Sequence, residues 1–235
     1  MYYLWQRGAG RLPRNPGEAT VAFVLIGGII GFIAGVGANR AAEAYALGHG
    51  GANLQRGFPA PLASPAGLAF GAIGAAAYGA LALRWGLQPA TLQFALLVAD
   101  LLFLSRTDLL VRLIPNGAIL FALACRMAFF AWAIPFQPGG REAFLASIAG
   151  LVLIGGLMAA AALIARRLRG SAAIGGGDIK LFAVLGFYFG FEAGLAAVLL
   201  SCILGLAANA LSRRRGEPFP FGPAIALAAL IILLV

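Results

Sequence analysis

Long apolar runs follow one another along this chain, and each is close to the length of a helix that crosses a membrane. A bilayer core requires roughly 20 apolar residues in a helical span. We count eight such runs, of which the sixth is short for a full crossing. They cover approximately residues 20–38, 66–84, 89–106, 115–135, 143–165, 178–191, 194–211 and 220–235. Alternation with a period of two is absent, so the pattern predicts helices and not a β-barrel.

The composition supports the same class of protein. Hydrophobic residues make up 62% of the 235 residues and charged residues 11%, whereas soluble domains contain roughly 25% charged residues. We therefore predict an all-α, polytopic integral membrane protein with about eight transmembrane helices, in a single membrane-embedded domain over 1–235. The apolar run after the amino-terminal arginines is too long for a secretory signal, so we expect the first span to be retained.

Basic residues are distributed unevenly between the predicted loops. The loops after the first, third, fifth and seventh spans hold most of them, including the clusters at 166–169 and 213–215, which places these loops in the cytoplasm. The amino-terminal arginines at 7, 11 and 14 oppose this orientation, but a short tail weighs less than the summed loops. The net charge of +9 then follows from topology and from anionic lipid. Nucleic acid is not an expected partner.

The main polar interruption, at 39–65, separates the first two spans. Its glycines and prolines predict a short cytoplasmic loop that is too short to be an enzyme domain. The only histidine, His49, lies in this segment, so a Ser-His-Asp triad or a multi-histidine metal site has little support. Cys125 and Cys202 fall inside predicted helices and form no CxxC site. The sequence therefore predicts no metal, and candidate chemistry rests on carboxylates.

Most of the eight acidic residues have a simple structural interpretation. We expect five of them to be solvated at the outer side or in loops: Glu18, Glu43, Glu142, Glu192 and Glu217. Asp100 lies inside the third span, where a hairpin turning near residue 111 brings it close to Arg126. Such buried charges usually pair. Asp108 and Asp178 remain, both on the predicted cytoplasmic side, and we take them as the candidate catalytic residues.

Each of these two aspartates lies in a short motif. Asp108 is followed by Ile114-Pro115-Asn116, and Asp178 closes the run Gly175-Gly176-Gly177. Glycine permits close backbone approach and unusual dihedral angles, which suits a site for an extended peptide. Two neighbouring carboxyls share a proton, so one can activate water while the other polarises a carbonyl. The motifs therefore favour peptide hydrolysis, with the two roles not assigned individually.

Structural interpretations of both aspartates stay open at this point. Asp178 after three glycines has the position of a helix N-cap, where a carboxylate accepts amide hydrogens. Asp108 has two basic neighbours, Arg106 and Arg112, with which it could pair at the membrane interface.

The two motifs resemble those of the bacterial prepilin leader peptidases, which are members of the GxGD class of membrane aspartyl proteases. In that family the second aspartate lies in GxGD before a lysine, as in 175–180 here, and the first precedes an Ile-Pro-Asn/Asp step, as in 108–116. The segment 31–40 is similar to the family's first span with its trailing arginine. The segment 218–223 resembles the proline-framed entry to the family's last span.

This resemblance implies a membrane aspartic endopeptidase of the bacterial inner membrane, with Asp108 and Asp178 catalytic. It implies that the enzyme cleaves the leader peptide of type IV prepilins or pseudopilins at the cytoplasmic membrane face. The partners are then the prepilin and the lipid bilayer. Substrate-binding or supporting roles fall to Gly175, Gly176, Gly177, Lys180, Pro115, Asn116 and Arg112.

One departure from the family changes the expected activity. Bifunctional relatives carry a larger cytoplasmic domain after the first span, with two zinc-binding CxxC pairs, and also methylate the new amino terminus with S-adenosylmethionine. The 39–65 loop has no cysteine, so we expect no zinc, no other cofactor and no methyl transfer. A catalytically inactive pilus-assembly homologue and an ion or solute transporter component are the alternative functions. The two intact aspartates disfavour the first, and the lack of an internal repeat disfavours the second.

Overall fold

The structure is a computed structural model that describes residues 18–49, 64–86, 88–169, 175–211 and 219–235. These ranges contain seven helices and no strand, which confirms the all-α prediction. The helices are α1 (Glu18–Gly48), α2 (Pro65–Trp85), α3 (Pro89–Val111), α4 (Asn116–Phe136), α5 (Gly140–Arg169), α6 (Gly176–Leu211) and α7 (Gly222–Leu234). The amino-terminal arginines, the greater part of the predicted 39–65 loop and the arginines at 213–215 lie outside the described residues.

Five of the described helices are long and apolar enough to cross a membrane: α1, α2, α4, α5 and α6. Their apolar side chains point outward in large numbers, as hydrocarbon surroundings require. α7 is shorter, and α3 carries the charges of Asp100, Arg106 and Asp108. The protein is therefore a polytopic membrane protein, whereas the count of eight crossing helices stays a prediction.

The chain reverses direction inside α6. Gly190 has φ 77° and ψ −173°, which is not helical. A Cβ placed on Gly194 would lie 3.1 Å from the Cα of Gly186, whereas residues eight apart in a straight helix are separated by about 12 Å. α6 therefore consists of two segments that fold back on each other, close to the predicted boundary between the runs 178–191 and 194–211.

The chain divides into two compact units. The first, called the N-unit, contains the described residues up to Leu113 together with Leu233–Val235, and the second, called the C-unit, contains Ile114–Ile232. In the N-unit, Gly31 of α1 lies directly against Gly74 of α2, where a methyl group on either would overlap the other's backbone. Small residues allow this close approach of membrane helices.

The first helix is longer than predicted. α1 continues to Gly48, so the prediction of a loop was wrong for residues 39–48. Hydropathy falls there because of Asn39, Arg40 and Glu43, yet alanines between them favour helix. Asn39 and Glu43 are one helical turn apart, and Asn39 Nδ2 donates to Glu43 Oε1 at 3.2 Å. The two side chains thus bond to each other along the helix, whereas the buried Oδ1 of Asn39 has no hydrogen-bond partner among the described residues.

A buried arginine fastens the first segment of α6 in the C-unit. Arg126 of α4 is 4% exposed, and its Nη2 donates to the hydroxyl of Ser147 in α5 and to the carbonyl of Tyr188 in α6, both at 3.1 Å. Tyr188 precedes the Gly190 break, where helical carbonyls lose their partners. A cation at a helix carboxyl end is electrostatically favourable. Arg126 therefore stabilises the end of the segment that begins near Asp178.

Candidate active site

Asp108 lies in the last turn of α3 in the N-unit. Its side chain is 6% exposed, and the preceding Thr107 is fully buried. The helix ends at Arg112, which adopts the left-handed conformation with φ 55° and ψ 37° and donates its backbone N–H to the carbonyl of Asp108 at 3.0 Å. Arg112 is the only non-glycine residue with a positive φ in the described ranges. Helices commonly end with a residue in this conformation, which is usually glycine, and non-glycine residues held in it are found more often at functional sites.

A partly buried ion pair involves Arg106, two residues before Asp108. Arg106 Nη2 donates to Glu43 Oε1 at 3.2 Å, and Glu43 is 2% exposed. The expectation that Glu43 is solvated in a loop was therefore wrong. The predicted α1 boundary at 38 left Glu43 outside the helix, which concealed its position beside α3. An i, i+4 spacing of Asn39 and Glu43 within an alanine-rich segment is the sequence signal that could have shown it.

Asp100 lies near the middle of α3 and is also buried. It is 6% exposed, and its Oδ2 has no hydrogen-bond partner among the described residues. Arg126, its predicted partner, lies in the C-unit and donates to Ser147 and Tyr188 there. An Asp100–Arg126 ion pair would link residues of two different units, and it stays a prediction.

Asp178 lies in the first turn of α6 in the C-unit. The helix begins at Gly176, so Asp178 lies inside the helix and not at its N-cap. Ile179 donates its backbone N–H to the carbonyl of Gly175 at 3.2 Å. A Cβ on Gly175 would lie 2.9 Å from Asp178 Oδ2. The glycine therefore leaves space for the carboxylate, which is half-buried at the positive end of the helix.

The segment after α3 packs against the Asp178 motif within the C-unit. A Cβ on Gly177 would lie 2.8 Å from the Cβ of Ile114. Lys180 Nζ donates to Asn116 Oδ1 at 2.8 Å. Pro115, between these two contacts, is buried. The structure thus joins the two sequence motifs through two contacts, Ile114 with Gly177 and Lys180 with Asn116. Ile114 belongs to the first motif, but sequence reasoning had given it no role of its own.

The two aspartates belong to different units, Asp108 to the N-unit and Asp178 to the C-unit. Their pairing therefore stays a prediction. Gly176 differs from its neighbours, since a Cβ on it would meet nothing within 4 Å. Within the described ranges, no three His, Cys, Asp or Glu side chains come together as a metal site.

These observations define the class of the protein: it is a polytopic helical membrane protein with two aspartate motifs. Residues 94–209 match the type IV leader peptidase family, and this range includes both motifs. The resemblance to prepilin leader peptidases is therefore confirmed. No solved structure matches the chain.

Three relatives show the extent of the similarity. A "Prepilin leader peptidase/N-methyltransferase" of Burkholderia pseudomallei (strain 1026b) is 34% identical over 160 residues, which are 66% of this chain and 50% of the relative. Its namesake in Bacillus subtilis (strain 168) is 32% identical over 164 residues, 67% of this chain and 61% of the relative. The protein of the same name in Neisseria gonorrhoeae is 30% identical over 158 residues, which are 66% of this chain and 52% of the relative. The chain thus matches between half and three fifths of each relative's length.

Proposed function

We propose that this protein is a membrane aspartic endopeptidase that removes the leader peptide of type IV prepilins or pseudopilins. All three relatives are named as prepilin leader peptidases, and the matched range 94–209 contains Asp108 and Asp178. These two aspartates are the proposed catalytic pair.

The contact between the two motif segments carries the proposal. Ile114 and Asn116 follow Asp108 in the chain, and they pack against Gly177 and Lys180 on either side of Asp178. Ile114 follows Asp108 by six residues, and six residues span at most about 20 Å when fully extended. Covalent reach thus limits how far Asp108 lies from the segment that packs on the Asp178 motif.

The proposed reaction uses both carboxyls. Two carboxyls in one site share a proton, because ionising both close together is unfavourable. The ionised one removes a proton from water, and the water oxygen attacks the scissile carbonyl carbon while the protonated carboxyl donates a hydrogen bond to the carbonyl oxygen. The tetrahedral intermediate then releases the peptide nitrogen, which takes up a proton. Either aspartate can act as the base.

The substrate suits the membrane setting. A prepilin has a charged leader that stays in water and an apolar helix that lies in the bilayer, and the scissile bond is between them. The proposed site faces the cytoplasm at the inner membrane, and the excess of basic residues in the loops on that side supports this orientation. An enzyme with apolar helices exposed to lipid receives such a substrate at the interface.

The direct test is cleavage of a purified prepilin by the purified protein in detergent. Asp108→Asn and Asp178→Asn each remove a proton-transfer partner with little change in volume, so we expect each to reduce turnover by more than about 100-fold with an unchanged thermal unfolding midpoint. Glu142→Gln is the matched control, because Glu142 is an exposed acid in the first turn of α5. It should cleave at the wild-type rate.

Two results would contradict this proposal. If the folded wild-type protein leaves the prepilin intact, the inactive pilus-assembly homologue or the transporter becomes the better hypothesis. If Asp100→Asn eliminates turnover in a well-folded protein while Asp108→Asn retains it, the wrong acid of α3 has been selected.

A further inference from the structure

Lys180 makes an exposed contact that the proposed reaction does not use. Its Nζ donates to Asn116 Oδ1 at 2.8 Å, across 64 residues of sequence. A hydrogen bond from an ammonium group to a carbonyl oxygen is charge-assisted and stronger than one between neutral groups. Asn116 is the first residue of α4, and Lys180 is in the second turn of α6. The bond therefore connects the beginnings of two helices.

Helix stability does not account for a cation at this place. The amino-terminal end of a helix carries a partial positive charge, which repels a neighbouring ammonium group. Lys180 lies close to two such ends, those of α4 and α6, so a neutral residue would suit both helices better. Both side chains are exposed, so burial of apolar area does not explain the contact either. The Lys180–Asn116 contact can instead hold the segment that precedes α4 against α6.

The segment held by this bond is stiff. It begins at Arg112, whose left-handed backbone ends α3, and it includes Pro115 with φ −63°. Proline fixes its own φ and restricts the residue before it, Ile114, to extended conformations. Ile114 also packs against Gly177. Within the C-unit, few backbone rotations therefore remain between Ile114 and Asn116 to absorb a displacement.

We propose that the Lys180–Asn116 hydrogen bond positions the catalytic aspartates, by holding the segment that follows Asp108 against the first turns of the helix that carries Asp178. This inference rests on the proposed function. Lys180 and Asn116 are positioning residues, since they act through the segment and not on the substrate. A displacement of about 1 Å at a catalytic group reduces turnover by as much as about 100-fold.

The test compares kcat and KM for prepilin cleavage in five variants. Lys180→Met, Asn116→Ala and the double variant remove the bond, and we expect each to reduce kcat about 10- to 100-fold with KM unchanged. The double variant should be no slower than the slower single variant, because both remove the same bond. Asn116→Asp and Lys180→Arg keep an acceptor and a cationic donor, and both should restore most of the activity.

The control variant is Arg141→Met, which removes an exposed cation from the first turn of α5 and should cleave at the wild-type rate. A readout independent of cleavage is amide hydrogen exchange in the first turn of α4. There the N–H groups of Ala118 and Ile119 donate to the carbonyl of Pro115 at 3.2 and 3.4 Å. Exchange should accelerate in Lys180→Met and Asn116→Ala but not in Arg141→Met.

The outcomes separate this inference from the proposed function. A low kcat in Lys180→Met with wild-type activity in Asn116→Ala overturns it, since Lys180 would then act on the substrate directly. Faster exchange with unchanged kcat in both variants also overturns it. Both results presuppose an active wild-type enzyme and leave the proposed function standing. A wild-type protein that does not cleave prepilin at all overturns the proposed function itself.

Discussion

Because Gly177 has no Cβ atom, the segment after α3 can approach α6 closely. Gly176 and Gly177 are adjacent in the first turn of α6. A Cβ atom built on Gly177 would lie 2.8 Å from the Cβ of Ile114, whereas one built on Gly176 would meet nothing within 4 Å. At the residue scale, the glycine run of the motif is therefore not uniform. One glycine is required by packing, and the next faces open space.

This difference predicts opposite effects of two alanine substitutions on stability. Gly177→Ala forces the Cβ atom against Ile114, and because such overpacking costs about 1–3 kcal/mol, we expect a lower thermal unfolding midpoint in detergent. A Cβ atom at position 176 meets nothing within 4 Å, and alanine has a higher helix propensity than glycine. The midpoint of Gly176→Ala should stay at or above that of the wild type. Equal midpoints for the two variants would contradict the packing argument.

The reversal inside α6 is the structural feature that matters most at the element scale. It shortens the helix that carries Asp178 and returns the chain alongside it, with the carbonyl of Tyr188 accepting a hydrogen bond from Arg126 at the end of the first segment. Gly190 has φ 77° and ψ −173°, a combination that is accessible almost only to glycine. A single residue thus separates the two segments, at the boundary that the sequence predicts between the runs 178–191 and 194–211.

Gly190→Ala should therefore destabilise the protein. Residues held in sparsely populated backbone regions cost about 1–3 kcal/mol, and a methyl group here has no relaxed conformation that preserves the reversal. Gly37→Ala is the control, because Gly37 is helical in α1 and a Cβ on it meets nothing within 4 Å. Thermal unfolding in detergent measures both. A Gly190→Ala protein as stable as Gly37→Ala would show that the reversal does not depend on glycine.

At the scale of the whole molecule, the cysteine and histidine content bears on the activities that the relatives' names give. The relatives are named as peptidases and N-methyltransferases, and the chain matches 50% to 61% of their length. A structural zinc site requires four ligands, typically cysteine and histidine, and the sequence provides two cysteines, both in predicted spans, and one histidine. The cleavage proposed above does not depend on such ligands.

We predict that zinc chelators leave prepilin cleavage unchanged and that the new amino terminus of the product carries no methyl group. Cleavage rates with and without chelator test the first part. Mass spectrometry of the product, after reaction with and without S-adenosylmethionine, tests the second. A methyl group that depends on both this protein and the cofactor would contradict the peptidase-only hypothesis and leave the aspartate mechanism intact.

The sequence by itself determined the class of the protein and the candidate residues. Solvation by lipid depends on the local density of apolar residues, so the long helices and the separation of two runs near Gly190 could be predicted from hydropathy. Aspartates are costly in an apolar protein, and their scarcity made Asp108 and Asp178 stand out. The motifs around them were sufficient to identify the family resemblance, which residues 94–209 confirm.

Only the tertiary structure decided which of these residues meet. Arg106 pairs with Glu43 across 63 residues, and hydropathy had placed Glu43 in a loop because it averages over the polar positions at 39–43. Lys180 and Asn116 are separated by 64 residues, and no periodicity or local propensity links positions that far apart. Such contacts depend on how the helices pack, which is set by close steric fits such as Ile114 on Gly177 and Gly31 on Gly74.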